Sequence, residues 1–461
     1  VRFNANCKDD MLKTIGFILL IVLMIHTIIL VHEFGHYIAA RIFKIKVKIF
    51  SIGLGKTLFS KQDKNGVIWR IGAFPLGGYV AVLDAQTDNV TKQNSAYTIN
   101  IKPLWQKITL YLAGPAINLL FAIIIYSMLY ITGINEVKPV IAKTIPNSIA
   151  AQANIQPNST ITKVNDKTIQ NWKDVTLAFL ASMGSDKTLH ITTTSNSQTS
   201  THNLDITDWQ IKELTFKPLE SLGIKPFMPN TPAVVMQVIP DSPAAGILKP
   251  GDKIIKVNNI YINNYEDLNE AMENLANKNI MLTIETSNIT TIKPITTSWT
   301  FKDGWNIVGY IGIKPAPTPW PQNKINHIQY GPLQAIAAGI DATFTMLKYN
   351  FIILGKIITR IIPISSLSGP IGFLGVALAS LNSGFKVFIE IVAIFNIIIA
   401  FANLLPIPGL DGGNIVFKIY EKIKGREINY LLQQLIGKFA IIFLVVITIH
   451  ATINDLTRLL T

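Results

Sequence analysis

Residues 32–36 read His-Glu-Phe-Gly-His, two imidazoles one helical turn apart with a carboxylate beside the first. Side chains four apart on a helix share a face, so His32 and His36 are spaced to grip one metal ion. Glu33 projects next to them, where it can hold a water and act as catalytic base. In a soluble helix this trio is often an ordinary surface pattern. Here it follows an almost wholly apolar stretch, residues 14–31, and ionisable groups inside such a helix are costly and mark function by default. A catalytic zinc site usually has three protein ligands and an open position. Asp411 is the candidate third ligand, in the segment Asn403-Leu404-Leu405-Pro406-Ile407-Pro408-Gly409-Leu410-Asp411-Gly412-Gly413. A bare Asp-Gly reads as a turn or cap. Pro406 and Pro408, however, remove backbone donors at the end of an apolar run, which lipid tolerates only beside protein or a water-filled cavity. Zn2+ is the expected cofactor, with His32, His36 and Asp411 as ligands.

The single cysteine, Cys7, excludes an intrachain disulfide framework and a thiolate-rich zinc site. His26, His190, His202, His327 and His450 have no partner at ligand spacing and are assigned no metal.

Of the 461 residues, 49% are hydrophobic, gathered into long runs. A bilayer core of roughly 30 Å needs about 20 apolar residues per helix. Residues 14–40, 108–131, 387–405 and 439–453 supply four membrane spans, the first being retained rather than cleaved. Residues 336–364 are apolar but interrupted by Asp341, Lys348, Lys356 and Arg360, which suits helices lying at the interface. The formal charge of +13 comes from 41 Lys and Arg against 28 Asp and Glu. With no basic cluster interleaved with aromatics, it points to an anionic membrane surface and not to nucleic acid. Lys and Arg are dense at residues 41–70 and 418–426, which places both loops in the cytoplasm. Both termini and residues 135–326 then lie outside it, in the periplasm for a Gram-negative cell.

That outer region is richer in Thr, Asn, Ser and Lys and contains an internal repeat. Ile145-Pro146-Asn147-Ser148, Ile161-Thr162-Lys163-Val164-Asn165-Asp166 and Trp172-Lys173-Asp174 recur as Ile239-Pro240-Asp241-Ser242, Ile254-Ile255-Lys256-Val257-Asn258-Asn259 and Tyr265-Glu266-Asp267. Ser242-Pro243-Ala244-Ala245-Gly246 followed by Pro250-Gly251-Asp252-Lys253 resembles the PDZ family. The first copy has Pro157-Asn158-Ser159 in place of Pro250-Gly251-Asp252, so the sequence alone leaves its turn and its peptide binding open. Trp172 and Tyr265 are expected to be core aromatics.

The chain as a whole resembles the site-2 protease family of intramembrane zinc metalloproteases. The likeness covers residues 11–460. It rests on Val31-His32-Glu33-Phe34-Gly35-His36, Phe50-Ser51-Ile52-Gly53-Leu54-Gly55-Lys56, Pro75-Leu76-Gly77-Gly78-Tyr79-Val80, Gly114-Pro115 with Asn118, the paired PDZ modules and residues 403–413. The resemblance implies that both histidines and Asp411 bind zinc, that Glu33 is the general base, and that Asn403, Pro406 and Pro408 position substrate. It also implies a membrane-reentrant β element over residues 68–80, with Gly77 and Gly78 on the substrate path. A second Asn, often present five positions before the first, would fall at Ile398, with Asn396 nearby instead.

The expected fold class is a multi-pass α-helical membrane protein with four transmembrane helices, a membrane-associated β-hairpin region and two tandem PDZ-like α+β domains. The expected segments are an N-terminal extension (1–10), a first span with the zinc motif (11–42), a cytoplasmic or reentrant β region (43–106) and a second span (107–132). PDZ-like domains follow (133–220 and 221–316), then interfacial helices (317–384), a third span with the Asp motif (385–413), and a loop with the fourth span (414–461). The resemblance implies a metalloendopeptidase of the bacterial inner membrane that cuts membrane-spanning segments of single-span proteins, such as anti-sigma factors or signal-peptide remnants. Its partners are those substrates and the lipid bilayer, and the PDZ pair acts as a gate. The alternatives are a membrane-anchored PDZ scaffold or chaperone with a vestigial metal site and, less well supported for want of a polar pathway, a metal transporter.

Overall fold

The computed structural model describes residues 5–209, 218–302, 306–316, 318–426 and 428–460. Two compact units emerge: the described parts of residues 1–134, 328–356 and 370–450 form one, and those of 135–327, 357–369 and 451–461 the other.

The first unit opens with α1 (Ala5–Ile42), which starts inside the expected N-terminal extension; residues 1–4 lie outside the described residues. Strands β1 (Val47–Gln62) and β2 (Ile68–Val82) follow, then α2 (Leu104–Thr132). Both strands bend sharply. Residues 49–52 of β1 pair with β2 twice, through Phe50 with Val80 and Phe50 with Trp69, while residues 57–62 pair with 68–72. Residues 78–82 thus form an outer edge, paired on one side with 47–52 and carrying no strand on the other among the described residues. Phe50, only 1% exposed, anchors this sheet, its ring 4.7 Å from Trp69 and 5.8 Å from Tyr37 of α1.

The second unit begins with β3 (Ile134–Val137) and then builds two similar modules. The first contains β4 (Ile141–Thr144), α3 (Ile149–Gln152), β5 (Thr160–Val164), β6 (Lys167–Thr168), α4 (Trp172–Ser182), β7 (Thr188–Ser195), β8 (Gln198–Asp205), α5 (Pro218–Ser221) and β9 (Ile224–Pro226). The second contains β10 (Val235–Val238), β11 (Lys253–Val257), β12 (Ile260–Tyr261), α6 (Tyr265–Ala271), β13 (Asn279–Thr286), β14 (Ile289–Thr296), β15 (Ser298–Lys302), β16 (Asn306–Tyr310) and β17 (Ile313–Pro315). Their main sheets have the same order, β6-β5-β7-β8 and β12-β11-β13-β14, and each adds a separate pair, β4 with β9 and β10 with β17. The repeated Asn-aromatic-x-Asp is a helix start used twice. Asn171 Oδ1 accepts the Asp174 N–H at 2.8 Å while Asp174 accepts that of Gln170. Asn264 and Asp267 repeat this with Asn263. Each reciprocal cap is worth about 0.5–2 kcal/mol. The Asn263 N–H, first among several donors, holds the Asp267 carboxyl below its ordinary range. The first module keeps a left-handed residue at the turn: Asn158 takes φ 59° where Gly251 takes 96°. Asn tolerates the left-handed region better than other non-glycine residues.

Strand β18 (Ile325–Ile328) pairs with β3, and a run of helices follows: α7 (Pro332–Ile358), α8 (Pro370–Ser383), α9 (Phe385–Leu404), α10 (Asp411–Lys424) and α11 (Tyr430–Leu460). Ile21, Met24 and Ile28 of α1, Ala122, Ile125 and Tyr126 of α2, Ala377 of α8 and Phe388, Val392 and Ile397 of α9 share one apolar core. Among the described residues five helical stretches are long and apolar enough to cross a membrane by length and composition, against the four spans expected: Leu19–Ile42, Leu104–Thr132, Ile364–Leu381, Phe385–Leu404 and Leu431–Thr457. The added stretch, Ile364–Leu381, contains α8. Its 14 residues span only about 21 Å at 1.5 Å per residue, short of a hydrocarbon core. Helix α7, 27 residues long, is not among the five.

Truncating the ring that joins the sheet to α1, by Phe50→Ala, is expected to cost roughly 3–5 kcal/mol. Denaturant titration of the purified protein checks this, and a loss below about 1 kcal/mol would show that the ring does not anchor the sheet.

Candidate metal centre

Three elements meet at one point. His32 and His36 come from α1, while Asp411 is the first residue of α10. His32 Nε2 and His36 Nε2 lie 3.3 Å apart, and Asp411 Oδ2 is 3.2 Å from the first and 3.4 Å from the second. Among the described residues this is the one group of three such side chains close enough to hold an ion. Asp411 Oδ2 is buried and forms no hydrogen bond of proper geometry. Donor atoms that converge without satisfying one another are unfavourable alone and well placed around a cation. Two imidazoles and a carboxylate form the set that holds catalytic zinc with one position left open.

The chain between α9 and α10 delivers Asp411. Leu405 precedes Pro406 and is extended at φ −66°, ψ 143°, as a residue before proline prefers, so α9 stops there. Gly409 at φ 92° completes the reversal. Side chains at Gly412 and Gly413 would overlap the carbonyls of Leu405 and Ile407. The two glycines therefore let the first turn of α10 press against the bend and fix the carboxylate's position.

Helix α2 supplies the third element. A side chain at Gly114 would overlap the His36 imidazole, and one at Gly35 the Ala113 carbonyl, so α1 and α2 approach almost backbone to backbone here. Within this crossing His36 Nδ1 lies 2.8 Å from the Leu110 carbonyl. Donation of Nδ1–H to that oxygen leaves the Nε2 lone pair for a metal. The fully buried Asn118 amide is 3.4 Å from His32 Nδ1, and its Oδ1 lacks a partner. With the amide turned so that Oδ1 accepts from His32 Nδ1–H, both groups are satisfied and His32 Nε2 too is free to bind. The sequence marks Gly114-Pro115 and Asn118 as a motif, but their role appears only when α2 is seen behind the imidazoles.

A cavity of about 300 Å³ opens at this point, lined by His32, Glu33, His36, Gly78, Asn403 and Asp411 among others. Gly78 lies on the free edge of the sheet, and a Cβ there would sit 2.9 Å from Glu33 Cγ. Gly77 precedes it at φ 91°. Pro406 and Pro408 do not line the cavity and act through the bend. Asn396 is buried within α9 and donates to the Val392 carbonyl, away from the cavity lining. Asn414 lines the cavity although nothing in the sequence singled it out. Its one signal is the spacing of three from Asp411 on the same helix.

The profile of peptidase family M50 matches residues 20–447. The chain belongs to this family. This M50 peptidase is 32% identical over 441 residues to the regulator of sigma E protease of Haemophilus influenzae, covering 95% of this chain and 98% of that one. To the regulator of sigma-E protease of Escherichia coli K12 it is 32% identical over 434 residues, with coverages of 94% and 96%. A relative in Pasteurella multocida, 31% identical over 442 residues with coverages of 95% and 98%, carries zinc metalloprotease in its name. A solved PDZ domain of an SdrC-like protein from Listeria innocua is similar to 19% of this peptidase and covers 97% of its own chain, at 19% identity and a TM-score of 0.17.

Asn118→Ala is expected to weaken zinc retention roughly 10–100-fold, the usual cost of losing a group that orients a metal-bound histidine. Metal content after graded chelator treatment measures it; unchanged retention would remove Asn118 from the site.

Proposed function

We propose that this chain is an inner-membrane zinc endopeptidase that hydrolyses peptide bonds in membrane-spanning segments of other proteins. The observation that carries the reading is the meeting of His32, His36 and Asp411 beside Glu33. Zinc held by those three ligands would supply Lewis acidity toward a peptide carbonyl and the attacking water. Glu33 takes the proton from that water and returns it to the leaving amine nitrogen. Residues 78–82 present an unpaired strand edge on the wall of the same cavity. A helical substrate hides its peptide bonds in its own hydrogen bonds, and pairing with this edge holds it extended for attack. Gly78 lets the strand lie against Glu33, and Gly77 sets the bend leading into it. Asn403, which also lines the cavity, positions the substrate, and Pro406 and Pro408 act through the break that ends α9.

The excess of Lys and Arg in the two loops supports a cytoplasmic face for residues 43–106 and 414–429, and a periplasmic location for the repeated modules. Substrates are then single-span membrane proteins, anti-sigma factors among them, or signal-peptide remnants, trimmed beforehand on the periplasmic side.

The two modules differ where a PDZ-type domain takes a peptide. In the second, a cavity of about 270 Å³ lies between α6 and residues 309–313, with Tyr265 on its wall. Tyr265 packs against the module's apolar core, as expected from its place in the repeat, and also lines the groove. In the first, Trp209 is 5% exposed, stands edge-on to Phe179 of α4 at 6.4 Å, and donates Nε1–H to Ser221 Oγ at 3.0 Å. It bridges the interval that is open in the second module. The gate therefore reads peptide ends with the second module alone. Peptides with a free C-terminal carboxylate should bind the full protein, and Met272→Trp, placed opposite Phe179 in the repeat, should abolish this. Binding that survives Met272→Trp but is lost on disturbing the first module would reverse the assignment.

Glu33→Gln is expected to keep zinc but lower cleavage of a test transmembrane substrate by about 10²–10⁴-fold, whereas Asp411→Asn loses metal itself. Metal content and cleavage measured on the same purified samples decide this. Persistent turnover by Glu33→Gln would favour another base, and a metal-free, inactive wild-type protein would favour the scaffold alternative.

A further inference from the structure

A second cleft, of about 370 Å³, lies where the first turn of α2 meets the last turns of α10, and nothing in the peptidase reading uses it. Lys102 and Lys107 line one side, and Lys418, Lys422 and Arg426 the other. One carboxylate faces these five cations, and it is already engaged. Glu421 is buried, 3.0 Å from Lys418 Nζ, and accepts from the Ile428 N–H at 3.3 Å and Gln433 Nε2 at 3.2 Å. Basic residues in the last turn of α10 complement that helix's own dipole; Lys102 and Lys107, from the α2 side, donate to the Ala96 and Asn100 carbonyls and keep their charge, which those neutral partners do not offset. The floor adds to the field. Helix α2, 29 residues long, starts here behind Pro103 with no side chain capping its first turn, so its positive end is open to an anion.

The surroundings say which anion. Val416, Ile419 and Ile423 of α10 form an exposed apolar stripe beside the cleft, at the spacing of one helix face. Such a helix lies in the plane of a membrane, with its basic residues at headgroup level. Trp105, 59% exposed on the first turn of α2, and Tyr420, 49% exposed on α10, are aromatics of the kind enriched at that depth. We propose that this cleft binds the phosphate of an anionic phospholipid, with the acyl chains along the α10 stripe. The positive charge neutralises the phosphate and the apolar stripe excludes a free ion as the preferred ligand, since inorganic phosphate gains nothing from it. Binding there ties α10, whose first residue is Asp411, to the bilayer surface.

The test uses the full-length protein in phosphatidylcholine vesicles with and without phosphatidylglycerol, and in phosphatidylcholine vesicles with inorganic phosphate. Bound lipid is counted after detergent extraction, and hydrogen exchange of residues 411–426 is followed. Phosphatidylglycerol should be retained in preference to phosphatidylcholine and should slow exchange in α10. Combining Lys102→Gln, Lys422→Gln and Arg426→Gln should weaken retention on the order of 100-fold, at about fivefold per surface charge. The corresponding Lys102→Arg and Lys422→Arg variant should retain it. Arg426→Gln alone, at an exposed position beyond the helix end, should lose about fivefold without disturbing the fold. Equal retention by wild type and the triple variant, loss in the arginine variant, or equal protection by inorganic phosphate in phosphatidylcholine would each overturn the proposal.

Discussion

Two imidazole nitrogens and a carboxylate oxygen pressed to within 3.4 Å of one another inside a bundle of apolar helices do not hold themselves together. Removing such groups from water costs several kcal/mol apiece unless a counter-charge repays it. Their convergence is imposed from outside by close packing: α1 against α2 at Gly35 and Gly114, and α10 against its own approach at Gly412 and Gly413. Steric fit places the donors, and the ion that fits them then balances their charge. The same crossing brings the Leu110 carbonyl and the Asn118 amide behind the rings, so one helix contact both gathers the ligands and selects which nitrogen of each histidine faces inward.

Around that centre the other elements act as walls. The doubled sheet of β1 and β2 is fixed to α1 through Phe50, Tyr37 and Trp69, which keeps residues 78–82 beside Glu33. The proline-broken segment after α9 contributes Gly409 and Asp411 to the polar cavity at the metal centre, which residues of the sheet border as well.

Much of this was legible in residue types and spacing. His32, Glu33 and His36 declare themselves because charge is expensive in an apolar helix, and Asp411 because two prolines and two glycines surround it. The module repeat is visible too, in Trp172-Lys173-Asp174 and Tyr265-Glu266-Asp267, although the Asn caps before them emerge only in the structure. What spacing alone does not carry is contact between distant segments. Asn118 belongs to a recognisable motif but shows its contact with His32 only when α2 is packed, Asn414 looks like an ordinary polar residue until then, and the groove beside Tyr265 is not visible in its spacing. The turn at Asn158 stays open in the sequence, because whether a left-handed Asn stands in for glycine there is seen only in the backbone. The fifth apolar stretch, Ile364–Leu381, shows composition outrunning geometry, since its helix is shorter than a bilayer core.

The unpaired strand at residues 78–82 bears on selectivity. Amide and carbonyl groups are the same in every polypeptide, so an edge that engages them is indifferent to most of a partner's side chains. What it does sense is how readily a segment gives up its own internal hydrogen bonds. Glycine, proline and small polar residues lower that resistance, whereas a uniform run of leucine raises it. Under the proposed pairing with this edge, discrimination is a measure of helix fragility, and the spelling of a chain matters chiefly through the ease with which it comes undone.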